Sequence, residues 1–287
     1  MRPVALILAI LLSGCGASRS IPVAEPSTQS PAEIVAGCCD RAGFYPDWVI
    51  RTADNNSEVM RRLGSLQLRP GRLKRHHRAQ EMILDNLRPL DVVFMNSKNR
   101  MSGVLIPGQF THGAIYLGTQ DQLRASGLWG LPALAPWKGE ISGGAVFLEA
   151  VDGGVRLAQP DIVLNTDALL ALRPRGIDRK DALRRGIGQM GVPFDMRFDA
   201  SDPSALFCAE LIELMFPEIN LPRTEVIGRE TILIDAIAAG ALSGELAFGM
   251  VGYVKATARG GVRVLSAQEL AWDVRRAWPG VEQVVEQ

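Results

Sequence analysis

The sequence predicts an α+β domain. Short runs of β-branched, aromatic and aliphatic residues, bounded by turn residues, recur at 90–95, 111–118, 145–151, 155–157 and 169–173. Stretches with helical signals stand before and after them, at 72–87, 178–190 and 208–216. Hydrophobic residues make up 47% of the 287-residue chain and its charges balance at zero. That is the composition of a soluble globular domain, and it offers nothing for nucleic acid or an acidic partner to bind.

Residues 1–15 read as a processing segment: Arg2, then an apolar run from Val4 to Leu12 that is too short to span a bilayer. Leu12-Ser13-Gly14-Cys15 has the form of a bacterial lipobox, in which Cys15 is lipidated and becomes the new N-terminus. The expectation is a lipid-anchored envelope protein. Gly16 rather than aspartate after the cysteine favours the periplasmic face of the outer membrane. Residues 16–35, rich in Ser, Pro and Ala, form the expected tether.

Residues 36–88 read as a helical segment packed on the main domain. Asn56-Ser57 caps one expected helix, Arg72 to Leu87 is a second, and Pro89 ends it. The main domain then occupies 89–287. Leu90 to Met95 is a strand, Ser97 to Gly108 a loop, and Gly113 to Leu117 a strand with His112 near its start. A Gly/Pro/Trp-rich insertion, 120–144, has no clear structure, and such an insertion either lines a site or packs onto the body. Ala145 to Val151 turns at Asp152-Gly153-Gly154 and returns through Val155-Arg156-Leu157. Ile232 to Val254 reads as a buried helix followed by a strand, and Ser266-Ala267-Gln268-Glu269 as a capping box for a terminal helix.

Three residues carry candidate chemistry. Cys208 opens the apolar stretch Cys208 to Phe216, and a thiol at a helix start sits where unpaired N–H groups and the dipole favour thiolate. The plain alternative is a small buried hydrophobe. Asp202-Pro203 offers a competing helix start one turn earlier. His76 and His77 lie in a basic run, Arg72 to Arg78, that reads as a solvated face, which leaves His112 as the candidate base. Glu149 sits mid-strand among apolar neighbours and needs a partner: an arginine in the structural reading, a histidine in the functional one. Cys38 and Cys39 are adjacent; a disulfide between neighbours is strained, so free thiols or an outside partner are expected. No cysteine or histidine spacing suggests a metal site, and no cofactor motif is present.

The order Asp91-Val92-Val93-Phe94, Thr111-His112-Gly113-Ala114-Ile115-Tyr116-Leu117-Gly118, Glu149-Ala150, Gly191-Val192-Pro193-Phe194-Asp195 and Phe207-Cys208-Ala209-Glu210-Leu211 resembles the permuted, YiiX/YebB-like branch of the NlpC-type papain-like cysteine hydrolases. The resemblance covers roughly residues 88–255. It implies a circularly permuted papain-like fold, with an antiparallel sheet packed against the cysteine helix. It also implies Cys208 as nucleophile, His112 as base, Glu149 as third member, and no cofactor. The histidine precedes the cysteine, which is the permuted order. Ala209 stands where the family commonly has serine. The expected substrate is an amide or ester: peptidoglycan peptides suit the envelope, whereas related enzymes resembling lecithin:retinol acyltransferase act on lipids. A binding lipoprotein on the same fold without catalysis is the alternative of a different class.

Overall fold

The computed structural model describes residues 28–39, 66–106, 108–226 and 229–278. Cys15, the leader and the expected helix beginning at Asn56-Ser57 lie outside them. The strands are β1 (Asp91–Met95), β2 (His112–Tyr116), β3 (Phe147–Val151), β4 (Gly154–Ala158), β5 (Ala168–Pro174), β6 (Thr224–Val226), β7 (Arg229–Thr231), β8 (Phe248–Ala256) and β9 (Val262–Leu265). The helices are α1 (Pro31–Val35), α2 (His77–Asn86), α3 (Met101–Leu105), α4 (Gln120–Ala125), α5 (Lys138–Ser142), α6 (Pro160–Val163), α7 (Arg179–Ile187), α8 (Cys208–Met215), α9 (Ile234–Ser243) and α10 (Ala267–Arg276).

Seven strands form one sheet in the order β4-β3-β2-β1-β5-β8-β9, and every neighbouring pair is antiparallel. β1 is buried along its whole length, which explains the unbroken apolar run from Val92 to Met95. Successive side chains of a strand point to opposite faces, so β1 feeds two cores. Val92 and Phe94 join Ile115, Leu148, Leu170, Ile212 and Phe216 on one side. Val93 and Met95 join Tyr116, Phe147, Leu169, Leu73 and Ile83 on the other. The α+β expectation with an antiparallel sheet against the cysteine helix therefore holds.

Helix α8 lies against the sheet over Gly113. A Cβ at this position would come 3.1 Å from Ile212 Cδ1 and 3.4 Å from Phe94 Cδ1. The missing side chain lets the helix approach the strand that carries His112. Gly113→Val is expected to lower unfolding free energy by about 1–3 kcal/mol through overpacking. Trimming the opposing side chain in Gly113→Val/Ile212→Ala should recover part of that loss. Denaturant unfolding of the single and double variants tests the contact; strictly additive effects would mean that the two residues do not meet.

Several local expectations change. The tether ends earlier than 35: Ser30 and Glu33 form a capping box on α1, and Ile34 and Val35 are buried with Ala271 of α10. Arg275 Nη1 also donates to Ile34 O at 3.0 Å. Cys38 and Cys39 are joined in a disulfide rather than free, with Cys39 in a left-handed backbone conformation. The expected helix from Arg72 to Leu87 is two pieces, a 3-10 turn (Arg72–Arg75) and α2, broken at His76. The break has a cause: Leu73 N–H donates to Thr166 O and Arg72 N–H to Asp167 Oδ1, which ties the first piece to the start of β5. The expected loop 97–108 contains α3.

The 120–144 insertion is structured. Thr119 and Gln122 form a capping box on α4, a 3-10 turn spans Pro132–Trp137, and α5 follows. Leu123, Leu128, Leu131, Leu134 and Ile141 are buried in the main core. Trp129 and Trp137 pack against it half-buried. Its apolar residues hold the insertion to the body, which is the packing reading. Ile232 to Val254 is helix α9 and most of strand β8, as expected, and no described helix is long and apolar enough to cross a membrane.

Candidate active site

Cys208 is the first residue of α8 and is 4% exposed. The helix begins there because the chain arrives extended. Leu206 bridges Phe194, Asp195 N–H donates to Leu206 O at 3.0 Å, and Phe207 has φ −102° and ψ 172°. Asp202-Pro203 does not start the helix; Asp202 accepts from Ser204 N–H at 2.9 Å in a separate tight turn. The thiol therefore lies in the first helical turn, where backbone N–H groups lack intrahelical partners and the dipole favours negative charge. Glu210, in the same turn, accepts the Phe207 N–H at 3.0 Å. Burial pushes its carboxyl up to about 7, aided by the charges of Asp195 and Glu213 and opposed by that hydrogen bond. The turn around Cys208 is thus less negative near neutrality than its sequence suggests.

His112 stands at the start of β2, opposite Met95. Its imidazole is hydrogen-bonded to Glu149 and lies close enough to the Cys208 side chain for the two to interact electrostatically. Nε2 lies 3.0 Å from Glu149 Oε2. Burial works to keep this ring neutral. The hydrogen bonds and charges of Cys208 and Glu149 outweigh burial and raise the imidazole from 6.5 to about 10. These partners favour the imidazolium over the neutral ring.

Glu149 is placed by register. Ile115 pairs with Leu148 and Tyr116 with Phe147, so by the two-residue period His112 and Glu149 share one face of the sheet. Arg156 lies directly across the hairpin and donates to Glu149 Oε1 from Nε at 3.0 Å and from Nη2 at 2.8 Å. Glu149 meets a histidine and an arginine at once, one oxygen to each partner. Burial tends to raise its carboxyl; His112 and then Arg156 overcome this and hold it below the usual carboxylate range. The His112 side chain is 21% exposed and that of Glu149 only 3%, so solvent reaches the ring on the histidine side and the carboxylate closes the back. Asp195, another conceivable orienting acid, instead accepts Arg197 and Asp199 N–H at 2.7 and 2.6 Å and shapes the loop before Cys208.

The structure thus brings Cys208, His112 and Glu149 together, with Glu149 hydrogen-bonded to His112 and Cys208 beside the ring. Arg156 is the partner that sequence reasoning did not single out. Its signal was a count: with Asp152 and Gly153 at the tip, Val151 pairs with Gly154, and two steps back Glu149 meets Arg156. A thiol at a helix start, an imidazolium beside it and a carboxylate behind is the arrangement of nucleophile, base and orienting group used in acyl transfer.

Comparison with known proteins bears on this geometry. No match was found among curated proteins or among solved structures. The profile of a family described as permuted papain-like amidase enzyme, YaeF/YiiX, C92 family, matches residues 86–247. That span contains β1 through α9, with His112, Glu149 and Cys208 inside it, and is more than half the chain. The chain belongs to the permuted papain-like amidase family, a group of cysteine hydrolases.

Proposed function

We propose that this chain hydrolyses an amide bond of a cell-envelope substrate, with Cys208 as nucleophile, His112 as acid and base, and Glu149 orienting His112. The observation that carries the reading is the single imidazole held between a helix-start thiol and a buried carboxylate. The Cys208 sulfur attacks the acyl carbon, and the carbonyl electrons move onto its oxygen. The Cys208 backbone N–H, one of the first-turn amides without an intrahelical acceptor, donates to that oxyanion. The imidazolium gives its proton to the leaving amine as the carbon–nitrogen bond breaks, and a thioester remains. Water then attacks the thioester while His112 takes its proton, the acid leaves, and Cys208 departs as the thiolate, which restores the starting pair.

Peptidoglycan stem peptides are the first substrates to test, because the lipobox read at residues 12–15 supports an envelope location. Incubating the protein with muropeptides and, in parallel, with lipid esters, then reading products by mass spectrometry, tests the reading. Cleaved amide in the first arm supports it. Turnover confined to lipid esters moves the activity to acyl lipids, and no turnover in either arm favours a binding lipoprotein.

The anchor has its own expected outcome. Cys15→Ala should abolish lipid labelling and move the protein out of the membrane fraction. Labelling at the wild-type level in that variant would sink the lipobox reading.

A further inference from the structure

The basic run that begins at Arg72 forms one wall of a cavity whose lining does not include Cys208, His112 or Glu149. A cavity of about 250 Å³ opens between residues 69–76 and the turn after β8, lined by Arg69, Arg72, Arg75, His76, Thr257 and Gly260. We propose that this cavity binds a phosphate-type oxyanion, the phosphate of a phosphoester or free phosphate.

Charge is the first argument. The only carboxylate paired with these arginines among the described residues is Asp167, which binds Arg69 through two nitrogens and Arg72 through Nη1 at 3.2 Å. Three arginines against one carboxylate leave two positive charges. Arg75 makes no side-chain bond among the described residues, and Arg72 has guanidinium donors left over. A guanidinium carries five N–H donors in a planar fork that matches phosphate oxygens.

Rigidity is the second. A solvated basic face is normally loose, but this wall is pinned. Gly71 N–H donates to Asn165 Oδ1 at 2.7 Å, Arg72 N–H to Asp167 Oδ1 at 3.0 Å and Leu73 N–H to Thr166 O at 2.9 Å. Gly71 is pressed so closely that a Cβ would come 2.2 Å from Thr166 N. The arginines therefore hang from a fixed backbone, which lowers the entropy lost on binding. Size is the third. A water molecule's share of the liquid is about 30 Å³, so the cavity holds a phosphate and part of what it is attached to.

Position gives the site meaning. His112, Met95, Leu169 and Val254 lie in one row across β2, β1, β5 and β8. The cavity borders the residues just beyond that row on β8. Three strand spacings separate β2 from β8, roughly 15 Å. A phosphate held here lies toward the same end of the strands as His112.

The test uses the full chain, wild type and Arg75→Gln and Arg72→Gln/Arg75→Gln variants. Arg69 keeps its two-nitrogen pair with Asp167 in both, and circular dichroism controls for folding. Inorganic phosphate and glycerol 3-phosphate are titrated by calorimetry, and flotation compares phosphatidylglycerol with phosphatidylcholine vesicles. The expected result is saturable binding that weakens about tenfold or more per lost arginine. Binding of the soluble phosphates assigns a soluble ligand; arginine-dependent binding only to phosphatidylglycerol vesicles assigns a lipid headgroup. Absence of binding in every arm, or binding that both variants leave unchanged, overturns the proposal. Cys208→Ala should bind like wild type, so failure of the hydrolytic reading leaves this result untouched.

Discussion

Cys208→Ala is expected to reduce hydrolysis by about 10⁴-fold or more, the scale seen when a covalent nucleophile is removed from a constellation that works as a unit. The same variant should lose labelling by a thiol-directed acyl probe. Cys208→Ser, which keeps nearly the same volume, should also be inactive, because the site is built to support a thiolate rather than an alkoxide. Folding is the first objection, since Cys208 is buried at the start of α8. The serine variant answers it: its unfolding midpoint should stay close to wild type while turnover collapses. Cys38 and Cys39 provide the control. They form a disulfide beside α1, so Cys38→Ser/Cys39→Ser should keep both turnover and labelling. Full labelling of Cys208→Ala would mean that another thiol reacts, and the nucleophile would have to be reassigned.

Cys208 and His112 could be singled out as candidates because each stands alone in the sequence. There is one cysteine past residue 39 and one histidine outside the basic run, and each opens an element with a clear period. The strands around them were readable for the same reason: alternation and unbroken apolar runs are set by the two-faced burial of the central sheet. What escaped was set by contacts distant in sequence. The insertion read as unstructured because its helices are short and its glycines and prolines punctuate them, yet five of its aliphatic side chains are buried in the main core. The break at His76 depends on backbone bonds to residues 166 and 167, which no local propensity encodes. The disulfide between adjacent cysteines ran against a correct generalisation about strain. Arg156 was within reach of a register count, but only once the hairpin turn was fixed at two residues.

Glu149→Gln is expected to lower turnover by about 10²–10⁴-fold, by analogy with loss of the orienting carboxylate in other triads. The variant keeps the shape of the side chain but removes the negative charge 3.0 Å from His112 Nε2. An amide also offers that nitrogen either an N–H or a carbonyl, so the ring is no longer held in one orientation. The pH dependence separates an orienting role from a merely structural one. In the wild type the raised imidazole stays protonated up to about 10, so it can donate to the leaving amine across the neutral and mildly alkaline range. The alkaline limb of kcat/KM should therefore lie near that value, and in Glu149→Gln it should move to lower pH, because one of the two groups that support the imidazolium is gone. Folding stability carries the matching sign. His112 has a folded pKa above its ordinary 6.5, so its contribution is complete below that value and is lost as pH rises through about 10. Glu149 is depressed, so its contribution is present above the ordinary carboxylate range and is lost as pH falls through its lowered value. Both losses should shrink in the variant. Arg156 supplies the comparison: Arg156→Gln removes the other partner of Glu149 but leaves the carboxylate on His112, and should cost less turnover than Glu149→Gln with a smaller shift of the alkaline limb. Turnover and limb both unchanged in Glu149→Gln would make Glu149 a salt-bridge residue for Arg156 and leave His112 to be oriented by its backbone alone.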